Sequence, residues 1–222
     1  MIPGAFPIIA GGAGDASIVW TEADGQFDAG SPQTTFTFTS KAIGDEGASR
    51  RIVVGIIALS STDRTVTVTV GGNSASEVSA CHSADGSSIV SMFVLDSPDD
   101  PGGTTATIVG TVSGAAINGF HIGIWAVYGA LSATARDTAT DTGEPCDVSL
   151  DVLPGGVIAA ICLKNALVDW TGVTEDFDTI YDGQRITGGH YNAVSGETPR
   201  TVTVEFTSSA ATNGNACALS LR

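Results

Sequence analysis

Positive charge is what this chain has least of. Lysine stands only at Lys41 and Lys164, and Lys plus Arg total 9 against 24 Asp plus Glu, a net charge of -15 over 222 residues. A surface of that sign repels phosphate backbones, which excludes nucleic acid as a partner. Long apolar runs are missing too. The longest, IVVGIIAL at Ile52–Leu59, is far short of the ~20 residues that cross a bilayer as a helix, so no membrane-spanning helix is expected and no membrane partner. Aromatics make up only 6% of residues, and Trp20, Trp125 and Trp170 stand far apart. That is poor material for the stacking trough of a glycosidase, although a jelly-roll glycan hydrolase is one reading of the paired acids. His82, His121 and His190 show no HxH or HExxH spacing for zinc. There is no GxSxG elbow and no phosphate-cradling GxxxxGK[ST]. No catalytic residue and no organic cofactor is therefore assigned.

Cysteine is sparse and unpaired in sequence: Cys81, Cys146, Cys162 and Cys217 form no CxxC. Cys162 lies inside the apolar run GVIAAICL, so buried free thiols are expected. A disulfide such as Cys81 with Cys146 is an alternative, since spacing alone does not choose among the three possible pairings. The basic doublet Arg50-Arg51 is expected to pair with carboxylates of this chain or a neighbouring subunit.

What the chain has is β-sequence. Hydrophobic residues make up 42%, and Gly occupies 28 positions in turn signals such as Gly71-Gly72-Asn73, Asp85-Gly86 and Pro154-Gly155-Gly156. Phe36 and Phe38 alternate with threonines, as do Val66, Val68 and Val70. Cys146, Val148, Leu150 and Val152 share one face of a strand, and Val202, Val204 and Phe206 one face of another. Ile52–Leu59, Phe120–Tyr128 and Val157–Leu163 are apolar on both faces and fit central strands covered from both sides. No apolar stripe of helical period is present; one short helical turn is expected near Ala48 or Leu131. The reading is an all-β fold, an antiparallel two-sheet β-sandwich of jelly-roll type with about ten strands and little or no helix. Residues 1–15, broken by Pro3 and Pro7 with no positive n-region, read as an extended arm and not a signal peptide. Residues 16–222 read as one sandwich domain. The likeness of TVTVTVGG from Thr65 to TVTVEFTSS from Thr201 is ascribed to composition and not to a repeat.

Two acidic turns are candidate sites. Asp176, Asp178 and Asp182 could offer oxygens to calcium, although their spacing is not that of an EF-hand. Ser97-Pro98-Asp99-Asp100-Pro101-Gly102 reads first as a rigid surface turn. The apolar side chains Ile2, Phe6, Ile8 and Ile9 on the N-terminal arm suit packing on a partner.

The strings TFTFTSKAIGDEGASRRIVVGIIAL, TVTVTVGGNSASEV, FHIGIWAVYGA, VDWTGVTEDFD and NACALSL occur in that order. In that order the chain, from about Thr34 to Leu219, resembles a group of virion proteins of tailed bacteriophages. DWTGVTEDFD at Asp169–Asp178 is the most specific piece. The resemblance implies a non-enzymatic structural component, assembled in the host cytoplasm and residing in the virion. A capsid decoration, cement or head-fibre protein bound to the major capsid protein is the first expectation, as a homo-oligomer with a trimer as the guess. A tail or baseplate component, or a glycan-binding host-surface adhesin, is the alternative. The resemblance brings no catalytic residues.

Overall fold

A computed structural model describes residues 15–143, 146–164, 169–181, 183–193, 200–207 and 214–222. The partner-binding candidates Ile2, Phe6, Ile8 and Ile9 lie outside these residues, as does Asp182. The described chain is all β. Its first half contains β1 (Ser17–Phe27), β2 (Thr35–Ala42), β3 (Arg51–Ala58), β4 (Val66–Val70), β5 (Asn73–Glu77), β6 (Ser83–Ala84), β7 (Ile89–Leu95), β8 (Thr105–Val112) and β9 (Gly119–Tyr128). The second half contains β10 (Asp137–Gly143), β11 (Cys146–Val152), β12 (Val157–Lys164), β13 (Asp169–Thr171), β14 (Thr174–Tyr181), β15 (Gln184–Asn192), β16 (Arg200–Thr207) and β17 (Gly214–Leu221). Seventeen strands replace the expected ten, because strands such as β1, β5, β10 and β14 carry polar side chains on both faces and show no alternation. The helical turn expected near Ala48 or Leu131 is not at either place. The two short 3-10 turns are Ser79–Cys81 and Ser97–Asp99, the latter started by Asp96, whose side chain accepts from Ser97 N, and by Pro98.

Strand order reveals a duplication of plan. The first-half ring reads β1-β9-β3-β7-β5-β4-β8-β2, with β6 an appendage of β7. Leaving β6 aside, that is first, eighth, third, sixth, fifth, fourth, seventh, second, the order of a jelly roll. The second half reads β10-β17-β12-β15-β14 in one sheet and β11-β16-β13 in another. This is the same order, opened between its fifth and fourth strands. The alike strings at Thr65 and Thr201 fall on β4 and β16, which are not equivalent in the two rolls. A better marker is the sequence that runs into the last strand of each half: SGAAING at 113–119 and SSAATNG at 208–214.

Three cores follow from this plan. One fills the first roll, with Phe36, Phe38, Val54, Ile56, Phe93, Ile108 and Phe120. A smaller one fills the second, with Cys146, Val148, Leu150, Ile158, Ala160 and Ala216. The third lies between the rolls, where the β1-β9-β3-β7 sheet packs on the β17-β12-β15 sheet through Val53, Ile57, Trp125, Ile161, Phe177 and Leu219. Strands β3, β9 and β12 therefore each face two cores, which is why their sequences are apolar on both faces. Trp125 and Phe177 lie against backbone freed of side chains. A Cβ on Gly188 would come 2.3 Å from Phe177 Cε1, and one on Gly123 2.8 Å from Phe177 Cζ.

The first roll is nearly a closed barrel, and its seam between β1 and β2 is bridged by side chains. Lys41 Nζ meets Glu22 Oε1 at 2.8 Å and Asp24 Oδ2 at 2.7 Å. Ala42 N donates to Glu22 Oε2 at 2.7 Å, and Gln26 Nε2 to Thr37 O at 2.7 Å. These bonds occupy part of an edge that would otherwise be open to another chain. Partial burial works against the Lys41 charge, yet the bonds to Asp24 and Glu22 hold its pKa above the ordinary value.

Candidate functional site

The acids singled out in the sequence are engaged with protein partners. A bulge in β14 between Glu175 and Phe177 turns Asp176 inward, where Oδ2 accepts from Trp125 Nε1 at 2.7 Å and Oδ1 lies 2.6 Å from His190 Nδ1. Asp178 pairs with Arg185 Nε at 2.8 Å. Among the described residues no group of three or more His, Cys, Asp or Glu side chains is placed to hold a metal. The calcium candidates therefore resolve, for Asp176 and Asp178, into a clasp between the two rolls and an ion pair within one.

The Arg50-Arg51 doublet pairs within the chain. Arg50 is 0% exposed; its Nε donates to Asp100 Oδ2 at 2.8 Å, one terminal nitrogen bonds Asp100 Oδ1, and the other reaches Gly44 O at 2.8 Å and Gly103 O at 2.7 Å. Burial raises the Asp100 carboxyl, but the Arg50 fork and the Gly102 N–H outweigh it and hold the pKa below the ordinary range. Arg51 pairs with Asp96 at 2.8 Å. The acidic turn at 97–102 is thus the lock for a buried arginine.

The three histidines have separate environments. His190 belongs to the Asp176 clasp. His121, on β9, is buried between the rolls with both ring nitrogens lacking a hydrogen-bond partner, its ring 4.9 Å from that of Tyr181. Burial lowers its pKa to about 4, against a small opposing effect of Asp24. His82 follows the Ser79–Cys81 turn, with Nδ1 2.8 Å from Glu77 Oε1 and Nε2 2.8 Å from Asp63 Oδ1. Burial opposes its charge, but the two carboxylates prevail and raise its pKa.

Glu77 links His82 to a cleft of about 640 Å³, where the 133–138 segment between the rolls crosses β5 and the Ser79–Cys81 turn. Its walls carry Glu77, Asp96, Asp99 and Asp137 with a single cation, Arg136, and the hydroxyls of Ser74, Ser76 and Thr138. Such a lining suits a ligand rich in hydroxyls or bearing positive charge. Ser91 Oγ donates to Glu77 Oε1 at 2.7 Å and not to His82, so the chain Ser91–Glu77–His82–Asp63 does not set a base against a hydroxyl nucleophile. Together these side chains form a hydrogen-bonded polar wall. Sequence reasoning singled out only His82 and Asp99 among these residues. The others converge from β5, the end of β7, the segment between the rolls and the start of β10, and no local spacing marks them.

Trp20 on β1, the cross-strand partner of Trp125, is 38% exposed and stacks on Phe177 with ring centroids 6.3 Å apart, beside exposed Val19. Comparison of the chain with protein-family models, with curated proteins and with solved structures finds no match.

Proposed function

We propose that this protein is a non-enzymatic structural component of a bacteriophage virion, a capsid decoration, cement or head-fibre protein that binds the head surface beside the major capsid protein. The observation that carries the reading is the pair of jelly rolls packed back to back over a shared core. Jelly rolls serve in viral capsid and lectin domains, and here two of them are joined through one shared core. The ordered strings that resemble phage virion proteins support the same reading. So does the charge of -15, which keeps such a protein from adhering to packaged nucleic acid. Fold alone does not fix function, so the test is positional. Immunogold labelling of purified particles should decorate the head; unlabelled particles would reject the proposal.

A second reading, a tail or baseplate adhesin, is favoured by the hydroxyl-lined cleft beside Glu77. It predicts label confined to the tail end and retention on host-cell glycans that is lost in Glu77→Ala. On the first reading, deletion of residues 2–12 should abolish incorporation into particles while the circular dichroism stays that of the full chain.

A further inference from the structure

The four thiols are not scattered in space: they form two pairs that meet on either face of β17. Cys81, from the 3-10 turn of the first roll, donates to Ala218 O at 3.1 Å, beside Cys217 on β17 of the second roll. Both Cys81 and Cys217 are buried in the core shared by the rolls. On the opposite face, Cys146 of β11 packs so closely on Gly214 that a Cβ there would lie 3.0 Å from the Cys146 Cβ. Cys162 of β12 is the cross-strand partner of Ala216, two residues along β17 from Gly214 and thus on the same face. Cys146 and Cys162 share the core of the second roll. In this structure all four cysteines are free and buried.

We propose that these are two preassembled cross-linking sites, Cys81 with Cys217 and Cys146 with Cys162, which close when the chain folds or opens in the presence of a low-molecular-weight disulfide. The first bond staples one jelly roll to the other; the second staples the two sheets of the second roll. Each closure is a two-step exchange. A protein thiolate attacks the small disulfide, forming a mixed disulfide and releasing one small thiol. The partner thiolate then displaces the second small thiol, leaving the protein S–S bond. The two protein thiols give up two electrons and two protons, and one small disulfide takes both to become two small thiols. Burial keeps the Cys162 and Cys217 thiols protonated in the closed fold, so exchange awaits folding or local opening. In a reducing cytoplasm the chain keeps four thiols; in an oxidising medium it gains two staples.

The test is refolding of the reduced full-length chain by dilution into buffer containing oxidised and reduced glutathione, then alkylation and non-reducing peptide mapping. The expected result is loss of all free thiols, two cross-linked peptide pairs joining Cys81 to Cys217 and Cys146 to Cys162, and a Tm roughly 5–10 °C above that of the reduced chain. Retention of four free thiols, or bonds joining Cys81 to Cys146 or to Cys162, would overturn the proposal. Cys217→Ala is expected to leave Cys81 free while the Cys146–Cys162 bond still forms. If that variant instead bonds Cys81 to either remaining partner, the pairing is wrong.

Discussion

Acid is expected to weaken this fold through His121. Its imidazole is 0% exposed, both ring nitrogens lack hydrogen-bond partners, and its pKa falls from 6.5 to about 4 in the folded chain. Above pH 6.5 the ring is neutral whether the chain is folded or not, and it contributes no pH dependence. Below that value the unfolded chain takes a proton that the folded chain refuses, so stability falls until the folded ring also titrates near 4. The full loss is about 3 kcal/mol, from the fall from 6.5 to about 4 at ~1.36 kcal/mol per pH unit. His121→Phe keeps a flat ring against Tyr181 and removes the titration. It also removes two orphaned polar atoms, so the variant should match or exceed the wild type in stability at neutral pH. The assay is the urea midpoint of both proteins across the window from 7 to 4. Wild type should lose stability more steeply than His121→Phe by about 3 kcal/mol over that range. Parallel curves for the two proteins would refute the reasoning.

Other perturbations probe the polar locks and the packing between the rolls. Arg50→Ala leaves the half-buried Asp100 carboxylate without its partner and should cost about 3–5 kcal/mol in chemical denaturation. Arg50→Lys should recover only part of this, since an ammonium cannot span Asp100, Gly44 and Gly103 together. Asp176→Ala strands Trp125 Nε1 and His190 Nδ1 and should cost about 2–3 kcal/mol, with a changed near-ultraviolet tryptophan circular dichroism signal; Asp176→Asn, which still offers an oxygen, should cost less. Gly188→Ala thrusts a methyl at the Phe177 ring and should lower stability by about 1–3 kcal/mol in thermal melts; an unchanged Tm would show that the rolls are not closely packed there.

Much of the fold was legible because side-chain period reports burial. Phe36 and Phe38 in β2 and the four inward residues of β11 alternate because each strand has one face on a core and one on solvent. The unbroken apolar runs of β3, β9 and β12 were legible as doubly covered strands, and they are the ones pressed between two cores. The repeated plan was not legible. It resides in strand order, which long-range pairing sets, while the two rolls fill their interiors differently: phenylalanines in the first, small residues such as Ala160 and Ala216 in the second. Strands β1 and β10 escaped notice because their partly covered polar side chains follow no two-residue period. The structural partners of the β14 acids were not legible: nothing in the spacing of Asp176 reveals the bulge that turns it toward Trp125. Arg50 was read correctly as an ion-pairing residue because a buried guanidinium in so acidic a chain has carboxylates within reach.

The proposal that this is a head-surface component is tested most directly by its copy number, measured by quantitative mass spectrometry, in purified tailless heads and in whole particles. The account predicts the same fixed ratio to the major capsid protein in both. Its absence from tailless heads, with retention only where tails are present, would contradict the account and leave the adhesin reading in its place.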